Sequence, residues 1–390
     1  MRIFVLLSRI PYPLEKGDKL RAFHQIKMLS QKHEIILCAL NPAKKADKQK
    51  AFEQLQPYCR SVNFIDLPAA VRMTNTLKAL FSGLPLQTGY FFSSRAEKKI
   101  RTLIEEYHPD LLFAQLSRTA RYLTSYRQKK LLDYQDVFSY GLKRRADKVP
   151  WPLKLVFRLE YNRMRSFEKE LFDQFDIKMI ISEQDRALIP HPEKEKIIVV
   201  RNGVDLEYFS PLSRSKRQEI VFTGNMNYPP NVDAARFLAK KIMPLVWKKM
   251  PETRLLIAGA NPHPAVKKLQ NKKIKVSGWL DDIREAYAGS AIFIAPMRMG
   301  TGLQNKLLEA MAMKIPCITT PLANAALQAK EKEEILTGET AQELADALLY
   351  LLQHPEKRKK MAEQAYTFVQ KNYHWQKATS PLLERIEKDE

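Results

Sequence analysis

The sequence predicts an α/β protein built from two doubly wound parallel-sheet domains facing a cleft, with helices at the C-terminal end. Three observations carry this. Short apolar runs alternate with helical segments along the chain, as in parallel sheets covered by helices on both faces. The runs are continuously apolar rather than alternating, as strands buried on both sides are. The series also stops at a polar stretch and then restarts.

Arg2–Ser8 reads as the first strand and residues 18–32 as the first helix, with Leu20, Phe23, Ile26 and Leu29 at near-helical spacing. Glu34–Leu40 is the next strand. Further strands are expected at 61–66, 110–114, 129–133, 176–181 and 196–200, with helices between most of them. The polar stretch 206–218 holds Pro211 and the run Ser213-Arg214-Ser215-Lys216-Arg217, and reads as a linker. The second series has strands at Glu219–Gly224, Arg254–Gly259, Lys273–Ser277, Ala291–Ala295 and Ile315–Thr319. Helices are expected from about Asn231 to Met250, at 281–288 and at 303–313, then at 340–353, 356–372 and 375–388. The expected domains are therefore 1–205 and 219–373, with the last helix, 374–390, packing back on the first.

Composition bounds the function. With 45% hydrophobic and 28% charged residues the chain is globular rather than disordered. No apolar run is long enough to cross a membrane, and Ile3–Leu7 is too short for a signal-peptide core. Cys38, Cys59 and Cys317 form no C-x-x-C and cannot all pair, which points to a reducing, cytoplasmic setting. The formal charge of +22 favours anionic partners. No nucleic-acid-binding module is recognisable, so none is expected as a partner. No histidines or cysteines are spaced as metal ligands, and no metal is expected.

In doubly wound sheets ligands bind outside the carboxyl ends of the strands. The loop with most chemistry follows the strand Ala291–Ala295 and runs from Pro296 to Asn305. Gly300 and Gly302 allow close backbone approach. A helix begins directly after Gly302-Leu303, so its free N–H groups form a ready anion site. Arg298 and Lys306 add positive charge. Glu309, further along the helix, offers a carboxylate for a vicinal diol such as a ribose. Asn305 stands where a dinucleotide fingerprint or a Walker loop needs glycine, which excludes both.

Four segments together resemble retaining glycosyltransferases of family 4, a GT-B-fold family. Asn202-Gly203-Val204-Asp205, followed by Phe209 and Pro211, resembles the family's hinge segment. Gly278-Trp279-Leu280-Asp281-Asp282 resembles its G-x-L-x-D loop. Leu308-Glu309-Ala310-Met311-Ala312, followed by Ile315-Pro316-Cys317-Ile318, resembles its LEAMA block. The N-terminal loop Arg9–Lys19 is similar to that of a bacterial subgroup associated with exopolysaccharide sugar transfer.

The resemblance implies a GT-B fold and transfer of a sugar, with retention, from a nucleotide-diphosphate-sugar donor to a saccharide or lipid-linked acceptor. Catalytic stabilisation would fall to Lys306, Arg298 and Glu309. The donor would lie against Gly17, Gly224, Asn225, Gly278, Trp279, Leu280, Gly300, Thr301, Gly302, Leu303 and Asn305. Lys19 and Arg21 would meet phosphate, or else form an exposed helix face. Asp133 and Asp136 would orient the acceptor, or else cap the following helix. No cofactor is implied. The chain departs from the family at Thr301, where relatives carry a first glutamate, and at Gly224-Asn225-Met226, which lacks the usual basic pair. A nucleotide-sugar epimerase and an inactive sugar-nucleotide-binding relative are the alternatives. The basic segment Lys143–Lys169, with Trp151 and Phe157, reads as a surface for an anionic membrane at the inner face of the cell, or as a solvated helix with core aromatics.

Overall fold

The computed structural model describes all residues except 44–46, 148, 213–218, 300–301 and 389–390. The chain forms two compact units, one of Met1–Arg201 with Thr379–Glu390 and one of Asn202–Ala378.

The first unit holds β1 (Arg2–Leu7), β2 (Glu34–Asn41), β3 (Ser61–Asp66), β4 (Leu111–Gln115), β5 (Lys129–Gln135), β6 (Ile177–Ile180) and β7 (Ile198–Val199). They lie in the order β3-β2-β1-β4-β5-β6-β7 and every pair is parallel. Apolar runs form these strands because both faces are buried. Phe4 and Leu6 enter one core, while Ile3, Val5 and Leu7 enter the opposite one. Leu382 and Ile386, from the end of the last helix, complete the second of these cores.

The second unit holds β8 (Glu219–Thr223), β9 (Arg254–Ala258), β10 (Ile274–Val276), β11 (Ile292–Ala295), β12 (Cys317–Thr319) and β13 (Leu336–Thr337). Their order is β10-β9-β8-β11-β12-β13, again parallel throughout. The expected α/β architecture of two doubly wound sheets is what the chain forms. The two-residue strand β13 was not anticipated, since so short a run leaves no periodic signal. The helix expected over 231–250 runs from Pro229 to Lys249 with a π-helical segment at Leu238–Ile242. Pro244 follows it and has no N–H to return to the preceding turn.

In each sheet the strand order reverses beside a central strand, between β1 and β4 and between β8 and β11. In such sheets the loops diverge at that point, and ligands bind outside the strands' carboxyl ends. The loops after β8 and β11 therefore frame the crevice of the second unit.

Candidate active site

Three backbone crossings shape the second unit's crevice. Gly224 follows β8 with φ +151°, and a Cβ there would lie 2.7 Å from Asn231 Nδ2. Gly259 follows β9, and a Cβ there would stand 1.8 Å from the Gly224 carbonyl oxygen. Gly259 N–H also donates to the Gly278 carbonyl at 3.1 Å, so the loops after β8, β9 and β10 are stitched together. Gly278 has φ +71° with open space about its Cα, and Gly302 likewise faces open space. Gly300 and Thr301 lie outside the described residues.

The helix Asn305–Ala312 starts after the β11 loop with no side-chain cap on its first turn. Lys306 and Glu309 lie three residues apart on it and so share a face. Lys306 Nζ donates to Asn231 Oδ1 at 2.6 Å and sits 5.1 Å from the centre of the Phe222 ring. Asn231 in turn donates from Nδ2 to the Asn225 carbonyl at 3.0 Å. Burial lowers the Lys306 ammonium to about 8, and the Glu309 carboxylate opposes that fall. Glu309 Oε2 accepts from the Tyr287 hydroxyl at 2.7 Å. Tyr287 is fully buried, and its oxygen lies 2.7 Å from Thr223 Oγ1. Since an ionised carboxylate only accepts, Tyr287 donates to Glu309 and Thr223 donates to Tyr287. Burial raises the Glu309 carboxyl, while the Tyr287 hydrogen bond and the Lys306 charge pull it down.

The other second-unit candidates divide by what they touch. Asn305 Oδ1 accepts from Nδ2 of Asn202, a buried residue at the start of the second unit, at 3.1 Å. The Leu303 side chain belongs to the core and Leu280 packs against it, so each offers a pocket little beyond its backbone. Trp279 is 58% exposed, with Nε1 donating to Asp281 Oδ1 at 3.2 Å. Arg298 is already paired. It grips Asp233 with Nε at 3.1 Å and Nη2 at 2.7 Å and lies over the Phe237 ring. Lys306 and Arg298 thus hold positions 231 and 233 of one helix, and the Arg298 charge is compensated by Asp233.

In the first unit, two candidates prove to be framework. Arg21 and Asp133 are both fully buried, with Arg21 Nε 2.6 Å from Asp133 Oδ2 and Nη1 donating to the Val200 carbonyl at 2.7 Å. Gln25 adds a further donor to Asp133 at 3.3 Å. Neither a phosphate nor an acceptor hydroxyl reaches them, because helix Gly17–Leu29 turns Arg21 inward onto β5. Gly17 is exposed at the start of that helix. Lys19 pairs with Glu15 at 3.0 Å. Asp136, directly after β5, is exposed. Arg118 follows β4 and is held between the Phe91 and Phe138 rings, 4.8 and 4.9 Å from their centres.

Sequence reasoning missed Asn231, Asp233, Tyr287, Thr223, Gly259 and Arg118 as site residues. Gly259 carried a signal, a glycine directly after a strand. The others are ordinary residues until the sheet brings them together. Among the described residues no three His, Cys, Asp or Glu side chains converge as metal ligands, and no helix is long and apolar enough to cross a membrane.

Residues 217–354 match the family described as "Glycosyl transferases group 1". A protein of Klebsiella pneumoniae described as "Uncharacterized 44.6 kDa protein in cps region" is 22% identical, over 98% of this chain and 99% of its own length. Among solved structures, the Anabaena Alr3699/HepE complex with UDP superposes with a TM-score of 0.71 at 13% identity, covering 100% of both chains. The sucrose-phosphate synthase of Thermosynechococcus elongatus superposes with a TM-score of 0.70 at 13% identity, covering 100% of this chain and 99% of its own. These similarities show the fold. The matched stretch contains the whole Gly224–Glu309 constellation.

Proposed function

We propose that this chain is a retaining glycosyltransferase of family 4 that moves a sugar from a nucleoside diphosphate to an acceptor hydroxyl, in polysaccharide or glycolipid synthesis. The group 1 match and the GT-B fold support a glycosyltransferase of GT-B type. The observation that carries the finer reading is the Lys306–Glu309 face of the helix after β11, beside the open backbone of Gly302. It combines a cation, a helix N-terminus and a carboxylate at the crevice where the strand order reverses.

On this reading the diphosphate lies against Lys306 and the helix start, and the ribose hydroxyls meet Glu309, held in place by Tyr287. Trp279 offers a flat exposed ring to the base. The bond from the anomeric carbon to the leaving phosphate oxygen breaks, and a bond to the acceptor oxygen forms on the same face. The acceptor proton passes to the departing phosphate oxygen. Lys306 and the oriented N–H groups stabilise the charge gathering on that phosphate. The Arg298 cation contributes to the diphosphate only by leaving Asp233, and otherwise braces the helix Pro229–Phe237. With Thr301 in place of a glutamate, the donor sugar meets one carboxylate fewer. Among the first-unit candidates, Asp136, Lys19 and Gly17 are not part of the buried framework and are the ones proposed to meet the acceptor.

The test is turnover of nucleoside-diphosphate sugars with excess chelator present. Release of the nucleoside diphosphate with an α-linked product from an α-linked donor supports the reading. An inverted product, an epimerised free nucleotide sugar, or activity that requires magnesium or manganese overturns it.

A further inference from the structure

The first unit turns a broad apolar face to solvent. Of its helix Ala69–Ser82 only Ala79 is fully buried. Two polar residues turn inward, where Asn75 Nδ2 donates to the Phe92 carbonyl at 2.9 Å and Arg72 meets the Tyr90 hydroxyl and ring, while Thr74 and Lys78 are exposed. The apolar residues Met73, Leu77, Leu80 and Phe81 form a stripe spaced i, i+4, i+7, i+8, and they are 68%, 57%, 40% and 87% exposed. A surface helix ordinarily turns such a stripe to the core. Helix Leu153–Gln174 behaves similarly. It buries Met164, Phe167 and Leu171 but exposes Leu155, Val156 and Leu159 near its start, just after the exposed Trp151. The two helices adjoin, since Arg163 Nη2 donates to the Leu80 carbonyl at 2.9 Å, one turn beyond Leu159.

Single exposed apolar residues need no explanation, whereas a contiguous set does. The charge around this one indicates its occupant. Residues 69–82 and 138–166 hold ten Lys and Arg against only Asp147 and Glu160. Glu160 is buried and accepts from the Leu86 N–H at 2.6 Å, so it does not offset that charge at the surface. Lys143, Arg144, Arg145, Arg158 and Arg165 are exposed. A second copy would place this basic surface against its own like charge, which opposes association.

We propose that this face docks on an anionic lipid bilayer. Phe81, Leu77, Met73 and the Leu155–Leu159 turn enter the boundary between headgroups and acyl chains, while the basic side chains stay with the lipid phosphates. The sequence segment Lys143–Lys169 supplies the charge and part of the apolar surface. The exposed apolar stripe of helix Ala69–Ser82 supplies the rest. The proposal does not depend on the glycosyltransferase reading, and its test needs no turnover.

The experiment is flotation of the full chain with phosphatidylcholine vesicles, with and without phosphatidylglycerol. The chain is expected to float with the anionic vesicles at low salt, to float poorly with phosphatidylcholine alone, and to lose binding as salt rises. Two triple variants separate the contributions. Leu77→Ser with Phe81→Ser and Leu155→Ser should abolish flotation while leaving thermal unfolding unchanged, because all three side chains are exposed. Lys143→Ser with Arg158→Ser and Arg165→Ser should lower partition into anionic vesicles by about 100-fold. Absence of flotation at low salt overturns the proposal, as does unchanged flotation of either variant. A dimer in sedimentation equilibrium that the apolar variant dissolves reassigns the face to a second copy and also overturns it.

Discussion

Lys306 Nζ lies 2.6 Å from Asn231 Oδ1, joining the start of the helix after β11 to the helix that follows the Gly224 loop. The amide nitrogen of the same Asn231 side chain holds the Asn225 carbonyl at 3.0 Å. One asparagine thus positions both the cation and the loop proposed to face the donor. The contact links the two loops at the strand-order reversal, and it places an ammonium group where burial already weakens its hold on a proton.

Lys306→Ala is expected to weaken binding of a nucleoside diphosphate and to lower turnover in a folded protein. A charged hydrogen bond contributes about 1.5–3 kcal/mol, or roughly 10- to 150-fold. Calorimetry with UDP, alongside a thermal melt of the variant, checks this. Unchanged affinity in a folded variant removes Lys306 from the donor site.

The same lysine predicts opposite pH dependences for binding and stability. Its ammonium falls from an ordinary 10.5 to about 8 in the fold. Between those values the unfolded chain carries a proton that the folded chain lacks, so this group's contribution to stability rises with pH across that window. Diphosphate affinity should instead fall as pH rises through about 8, because the anion prefers the ammonium form. Binding near that pH should also take up a proton. Calorimetry in buffers of different ionisation enthalpy measures the uptake, and none at all contradicts the assignment.

Glu309→Gln should weaken the nucleotide itself, not only sugar transfer. Glutamine keeps the size and helix preference but offers one acceptor oxygen and a misplaced donor. The loss should again be about 1.5–3 kcal/mol. Tyr287→Phe keeps the ring and removes the hydroxyl that holds Glu309, so a smaller loss of about 0.5–1.5 kcal/mol is expected, expressed mainly in KM. Intact UDP affinity with collapsed transfer in Glu309→Gln would move this carboxylate from the ribose to the sugar or acceptor.

Arg21→Met and Asp133→Asn should both destabilise the first unit, the arginine change more strongly. Each removes one partner of a fully buried ion pair and leaves the other unbalanced. Breaking such a pair costs about 3–5 kcal/mol. Chemical unfolding should register the loss, while UDP affinity of the folded fraction stays as in the parent chain. A stable Arg21→Met variant with lost turnover would return this residue to the chemistry.

Much of the architecture was legible from local pattern. The apolar runs Ile3–Leu7 and Ile292–Ala295 are strands because both faces of their sheets are covered, and the helices between them carry 3.6-residue periodicity. The Gly302 loop was legible from its own glycines before a helix, whereas the Gly224 and Gly278 loops were picked out by resemblance to a family's segments. Arg21 and Asp133 were misread for a related reason. Each stands beside a crevice in the sequence order, but whether its side chain faces the crevice or the core depends on one helix rotation and one strand register.

From its sequence, this chain declares two parallel α/β series, a glycine-containing loop before Asn305 and a carboxylate at Glu309, since all of these follow from residues near one another. The partners of those groups belong to the tertiary structure. Asn231 stands 75 residues from Lys306, Tyr287 stands 22 residues from Glu309, and Asp133 stands 112 residues from Arg21. A hydrogen bond requires about 3 Å and an orientation, and only sheet order and helix rotation set those between distant residues. The outward turn of Phe81 has the same origin: the apolar stripe is written in the sequence, and packing alone chose which way it faces.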